Sequence, residues 1–179
     1  MQTKPSIGRF ALYRVNRSGS LIPNVRCCNS NPQVWSAMIE SVTTLPFNRH
    51  IGIQKSSTDD GLLELPQGEQ FLNHIGTVHA GAQLALAEAC SGEFLLNTLA
   101  NETGIIPVVR RVEAKFKKPA NGRVTAKINT ALTVIDQSLD DLAVKGRCLL
   151  TVHVDVYDEQ GQHSLSSNFE WFVARSSHT

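Results

Sequence analysis

Nothing among the 179 residues approaches the ~20 consecutive apolar residues of a transmembrane helix, and no apolar core precedes a small-residue cleavage site of the signal-peptide kind. Charge of one sign is also lacking. With 17 Lys and Arg against 16 Asp and Glu, the net charge of +1 leaves no concentrated basic face for nucleic-acid phosphates. No Gly-x-Ser-x-Gly elbow and no Walker loop occurs, so serine-hydrolase and P-loop nucleotide chemistry have no motif to stand on. Cys27, Cys28, Cys90 and Cys148 form no CxxC pair, and two adjacent cysteines are a poor start for a disulfide framework. His50, His153 and His163 show no ligand spacing with Asp or Cys, so no metal is expected. A soluble protein of a reducing, cytoplasmic compartment is the simplest reading, with no membrane and no nucleic acid as partner.

Acids are absent before Glu40, whereas Lys4, Arg9, Arg14, Arg17 and Arg26 precede it. An acid-free, Arg-bearing start is shared by organelle transit peptides and by extensions that lie on a domain; the second is the simpler reading for residues 1–30. A hydrophobic content of 41% then leaves residues 31–179 able to bury one sizeable core.

Residues 10–15 read as a strand in the extension. Asn31-Pro32 makes a cap and first-turn signal, and Val34, Met38, Val42 and Leu45 follow at helical spacing, predicting a short helix that ends at Pro46. Residues 50–56 and 62–65 read as strands joined by a turn at Thr58-Asp59-Asp60-Gly61. A long helix follows from His79 through Leu99. Beyond it, period-two alternation predicts four strands. The first places Val108, Val112, Ala114 and Phe116 on one face and Arg111, Glu113, Lys115 and Lys117 on the other. The second carries Val124, Ala126, Ile128, Leu132 and Val134. The third sends Cys148, Leu150, Val152, Val154 and Val156 inward, with Thr151, His153 and Asp155 outward; after a turn at residues 158–161, the fourth lines Leu165, Phe169, Trp171 and Val173 along one side. The pattern is α+β, an antiparallel sheet wrapped round one buried helix.

Residues 73–92, NHIGTVHAGAQLALAEACSG, carry the chemistry. Eight of the thirteen residues from Ala80 to Gly92 are Ala, Gly or Ser, which lets other backbone come close, and Glu88 is the sole charge among them. A carboxylate buried there without a partner costs several kcal/mol, so it must find water, a donor or a proton. The N–H groups of Ala80, Gly81 and Ala82, free at the helix start, suit a developing oxyanion. Gly81 and Glu88 share a helical face but stand roughly 10 Å apart along the axis, so one carbonyl cannot touch both. Amides and carboxylate acting on one atom would have to come from two copies of the chain.

Asn73, Gly76, His79, Gly81 and the Glu nine positions after His79 resemble the loop and central helix of hotdog-fold acyl-CoA thioesterases, nearest the PaaI-like and DUF4442-type branches. Leu45-Pro46-Phe47, Ile51-Gly52-Ile53 and residues 116–122, FKKPANG, resemble the family's flanking strands, so the likeness spans about residues 32–175. One departure is His79-Ala80-Gly81 where many relatives have His-Gly-Gly; the N–H survives, but a methyl narrows the approach. The resemblance implies a hotdog domain, a homodimer or a dimer of dimers (a tetramer), and an acyl-CoA substrate with no cofactor beyond the coenzyme A it carries. It gives Glu88 the role of base or nucleophile, against a solvated or paired helix carboxylate. Asn73 would hold the water or thioester, or simply make a loop turn; His79 would donate to the thioester carbonyl, or cap the loop. Gly76 would shape the loop against substrate, and Ser91 would orient Glu88, touch substrate, or only pack. Lys117 and Lys118, with Lys115 and Arg123, would receive coenzyme A phosphates, or form a solvated sheet face. His74 reads as a loop residue. Hotdog hydratases or dehydratases, and hotdogs that bind acyl groups without turnover, are the rival functions.

Overall fold

The computed structural model describes residues 14–15, 21–22, 40–102 and 104–176. Two compact units divide the chain, Met1–Asn31 and Pro32–Thr179. In the first, β1 (Arg14–Val15) and β2 (Leu21–Ile22) pair antiparallel; the rest of the strand expected over residues 10–15, the basic acid-free start and Cys27 and Cys28 lie outside the described residues.

The second unit contains β3 (Gln54–Lys55), β4 (Leu63–Leu65), β5 (Ile105–Phe116), β6 (Val124–Ile128), β7 (Arg147–Asp158) and β8 (His163–Arg175). They make one antiparallel sheet in the order β3-β4-β6-β7-β8-β5, and the central helix, Ala80–Thr98, packs on one face of it. This is the hotdog α+β fold. Successive side chains of a strand point to opposite faces, so β7 buries Leu150, Val152, Val154 and Val156 toward the helix while His153 stays exposed beside Asn168. From β8 come Leu165, Phe169, Trp171 and Val173, and the helix answers with Leu86, Ala87, Ala89, Cys90 and Leu95. Burial of each large apolar side chain contributes about 1.5–3 kcal/mol. No helix among the described residues is long and apolar enough to cross a membrane.

Four expectations are corrected. Leu132 and Val134 do not extend β6: Leu132–Lys145 is a helix, closed by Gly146 in the left-handed region at φ 68°, with Ile135 and Leu142 buried. Along β5, Val108 does not share a face with Val112, Ala114 and Phe116. A bulge at Arg110 inserts one residue, so Val108 pairs with Phe172 and Val112 with Phe169, on opposite sides of the sheet. Pro46 does not end a helix. Val42–Thr44 is a 3-10 turn, and Pro46 begins the helix Pro46–His50, where its missing N–H costs nothing; Asn31-Pro32, Val34 and Met38 lie outside the described residues. Finally, the strand expected over residues 50–56 shrinks to β3, because Ile51 and Gly52 turn the chain out of that helix.

Gly92 stands inside the central helix, where glycine is a poor choice. A Cβ added there would meet Val42 Cγ1 at 3.5 Å and Trp171 Cη2 at 3.7 Å, ordinary contacts that force nothing to move. Gly92→Ala is therefore expected to raise folding stability by up to about 1 kcal/mol in urea melts, the helix-propensity difference between the two residues. A destabilised variant would show that the wall at Gly92 is tighter than these distances.

Candidate active site

The loop before the central helix is fixed by its own side chains. Asn73 Oδ1 accepts from the N–H groups of Ile75 (3.0 Å) and Thr77 (3.1 Å), its Nδ2 donates to Thr77 Oγ1 (2.9 Å), and Gly76 supplies the positive φ of 76° that closes the turn. Asn73 thus spends its amide mainly on its own loop. His74 is exposed.

His79 is the N-cap of the helix. Its Nδ1 accepts from the Gly81 N–H at 2.9 Å, which leaves Nε2 as the N–H of the neutral ring. The helix start is therefore not as free as expected. Gly81 donates to the His79 ring and Ala82 donates to the His79 carbonyl at 3.0 Å, so the Ala80 N–H alone of the three has no acceptor among the described residues. A methyl at Gly81 would press on His79 Nδ1 at 3.1 Å, whereas Ala80 is exposed and its methyl is accommodated. His79 and Gly81 line a cavity of about 440 Å³ with Phe47, His50 and Phe71.

Two turns further on, the helix carries two acids that differ in kind. Glu93 is 1% exposed and sealed: its Oε2 accepts from Ser41 Oγ (3.0 Å) and the Val42 N–H (2.8 Å), and its Oε1 pairs with Lys55. This acid pins the 3-10 turn to the helix. The sequence signal was a second acid just beyond the small-residue run. The Glu88 carboxylate has no hydrogen-bond or ion-pair partner among the described residues. Burial alone raises its pKa above the ordinary 4.5, because a carboxylate loses hydration there and gains nothing in return. It lines a second, larger cavity of about 550 Å³ whose walls include Val42, Leu45, Leu95, Leu99, Ile105 and Trp171. Those walls come from segments far apart in the chain, and the expected site residues did not include them.

Ser91 is fully buried and does not reach the Glu88 carboxylate. Its Oγ donates to the Glu88 carbonyl at 2.7 Å and accepts from Trp171 Nε1 at 3.2 Å, so it fixes the indole that walls the cavity. Cys90 offers no nucleophile, since burial pushes its thiol up to about 12. Lys117 and Lys118 are exposed just before Ala120, whose carbonyl accepts from Val78 at 2.9 Å, so this loop lies at the start of the central helix. Lys117 Nζ sits 3.2 Å from His163 Nδ1, and Arg123 turns instead to Ser57 Oγ at 2.8 Å.

A serine, a histidine and an aspartate also meet on the outer face of the sheet. There, however, His163 Nε2 faces both Asp155 Oδ1 and Ser166 Oγ at 3.0 Å. A hydroxyl-activating relay needs acid and hydroxyl on opposite ring nitrogens, so this cluster is not one. No group of three His, Cys, Asp or Glu side chains among the described residues is arranged to hold a metal ion.

A family model, described as a domain of unknown function (DUF4442), matches residues 35–173. The chain belongs to the DUF4442 family. No curated protein matches it. Among solved structures, this DUF4442 chain is similar to a Pseudomonas aeruginosa protein of unknown function named a "probable thioesterase", at a TM-score of 0.64 and 22% identity over 81% of this chain and 94% of that one. It is similar to a Chlorobaculum tepidum protein of unknown function, with TM-score 0.63, 21% identity and coverage of 74% and 88%. A Haemophilus influenzae thioesterase follows with TM-score 0.57, 21% identity and coverage of 77% and 90%. These likenesses establish the fold that the DUF4442 chain shares with them.

Proposed function

We propose that the protein hydrolyses acyl-CoA thioesters as a homodimer. The observation that carries this reading is the Glu88 carboxylate, without a partner among the described residues, on the wall of a largely apolar cavity. The acyl group lies in that cavity, and the carbonyl oxygen takes the Ala80 N–H of a second copy, joined by Gly81 once the His79 ring turns aside. Glu88 removes a proton from water as its oxygen attacks the carbonyl carbon. When the tetrahedral intermediate collapses, the C–S bond breaks and the sulfur leaves with the proton that Glu88 returns. Direct attack by Glu88, followed by hydrolysis of the anhydride, ends in the same products. Lys117 and Lys118, beside the helix start, meet the coenzyme A phosphates, and the chain needs no cofactor of its own.

A second copy is supported by two features. In one chain His79 and Gly81 line one cavity and Glu88 the other. Strand β5 also pairs only with β8 among the described residues, leaving a free edge that exposes Ile106 and Val108 on one side of the sheet and Val112 and Phe116 on the other. Acyl binding without turnover is the second reading, favoured by the Gly81 N–H being already held by His79. Hydrolysis of acetyl-, hexanoyl-, dodecanoyl- and benzoyl-CoA, followed with a thiol reagent, decides between them: no turnover of any ester leaves binding alone.

The acid limb of the rate profile follows from the same carboxylate. A base works deprotonated, so kcat/KM is expected to rise with pH through a midpoint above 4.5. Stability runs the other way. Between the ordinary and the raised pKa the folded chain holds more protons than the unfolded chain, so the contribution of Glu88 to stability declines as pH rises through that window. At neutral pH Glu88→Gln should melt above the wild type, and a lower Tm there would contradict the burial cost assigned to the carboxylate.

A further inference from the structure

We infer that the cavity beside Glu88 selects unbranched aliphatic acyl chains of about a dozen carbons, and that Gly92 sets this preference by leaving the channel open. The inference rests on the proposed placement of the acyl group beside Glu88.

Glu88, Gly92, Leu95, Leu96 and Leu99 all line the cavity, so it follows the central helix from the carboxylate to the C-cap. At ~1.5 Å per residue that stretch is roughly 16 Å long. An extended chain advances about 1.2 Å per bond, as a polypeptide does, so roughly a dozen bonds fill it. Val42, Leu45, Ile105 and Trp171 supply walls from outside the helix, Val42 and Trp171 of them beside Gly92. Apolar side chains dominate the wall along this length, with Glu40, Asn48 and Asn97 as polar members besides Glu88, and this apolar excess rewards methylenes.

Gly92 lies one turn beyond Glu88, where Val42 and Trp171 cross over the helix. A Cβ would already touch both, at 3.5 Å from Val42 Cγ1 and 3.7 Å from Trp171 Cη2, so any larger side chain must enter the channel. Glycine keeps open the passage from the reacting carbon to the far half of the cavity. Its helix-propensity cost is then accounted for by the substrate.

S-alkyl-CoA thioethers of two, four, eight and twelve carbons bind without being hydrolysed, and titration calorimetry reads their affinities. Affinity of the wild type should climb about fourfold per methylene over the early part of the series. Gly92→Leu, which keeps a good helix former, should lower the twelve-to-four-carbon affinity ratio at least tenfold. Leu96→Trp, one turn further, should lower the twelve-to-eight ratio while sparing the eight-to-four ratio, which a general loss of folding would not do. Equal affinity for two and twelve carbons, no binding of any thioether, or ratios unmoved by both substitutions overturns the inference. Turnover of the matching thioesters is measured in parallel: chain-dependent binding without turnover refutes hydrolysis and leaves the channel assignment standing.

Discussion

Glu88→Gln is expected to lower kcat on acyl-CoA by about 10²-fold or more, with assembly and secondary structure intact. The substitution keeps the shape of the side chain and removes its basicity. Helix packing does not depend on the charge, because the Glu88 carboxylate accepts no hydrogen bond among the described residues. Glu93 is the internal control. A Gln carbonyl oxygen in the Oε2 position can still accept from Ser41 Oγ and the Val42 N–H, but the Lys55 ammonium then meets an NH2 donor in place of a carboxylate oxygen, so Glu93→Gln should act on stability. Steady-state kinetics with a thiol reagent, set beside thermal melts, separate the two. A Glu88→Gln enzyme running near the wild-type rate would remove Glu88 from the chemistry.

The sheet was legible wherever one face is buried. In β7 and β8 a one-residue slip would move every valine to solvent, so alternation alone determines which side meets the helix. The same signal misled beyond β6. Val124, Ala126, Ile128, Leu132 and Val134 continue a period of two across a loop, and the helix that follows has no side-chain cap at Ala131. Its marks lay further on, in Ile135, Leu139 and Leu142 at helical spacing and in Lys145-Gly146 as a stop. The bulge at Arg110 left no such mark, since pairing with β8 creates it. Pro46 was ambiguous in principle: proline both stops one helix and starts another.

For the candidate site, the sequence overcounted the free groups at the helix start, since Gly81 and Ala82 both donate to His79. Spacing placed Glu88 on the small-residue face but could not distinguish a carboxylate with partners from one without, which is the difference between Glu93 and Glu88. That difference depends on Ser41, Val42 and Lys55 arriving from elsewhere in the chain. His79 was read as either donor or cap, and the structure shows a capping bond to Gly81. The cavity beside Glu88 draws on the 3-10 turn, β5 and β8 at once, so no local pattern announces it.

Mixed dimers of Glu88→Gln and Ala80→Pro are expected to recover about half the wild-type activity per heterodimer, although each homodimer is inactive. Gly81 and Glu88 stand roughly 10 Å apart along one helix, beyond the reach of a single carbonyl. Ala80→Pro removes the one helix-start N–H that has no acceptor among the described residues, and so breaks none of the bonds seen there. Proline fits there, because Ala80 is the first helical residue and His79 before it is extended at ψ 136°. Loss of an oxyanion donor of this kind costs about 10²–10³-fold in kcat, so the Ala80→Pro homodimer should be nearly silent while still assembling. In the heterodimer one site joins the intact Ala80 of the first chain to the intact Glu88 of the second, and the other site inherits both lesions. Purified heterodimers carrying two different affinity tags provide the measurement, with circular dichroism to verify that the proline variant folds. If they stay as inactive as either parent, amide and carboxylate serve one site within one chain, and the shared-site mechanism fails.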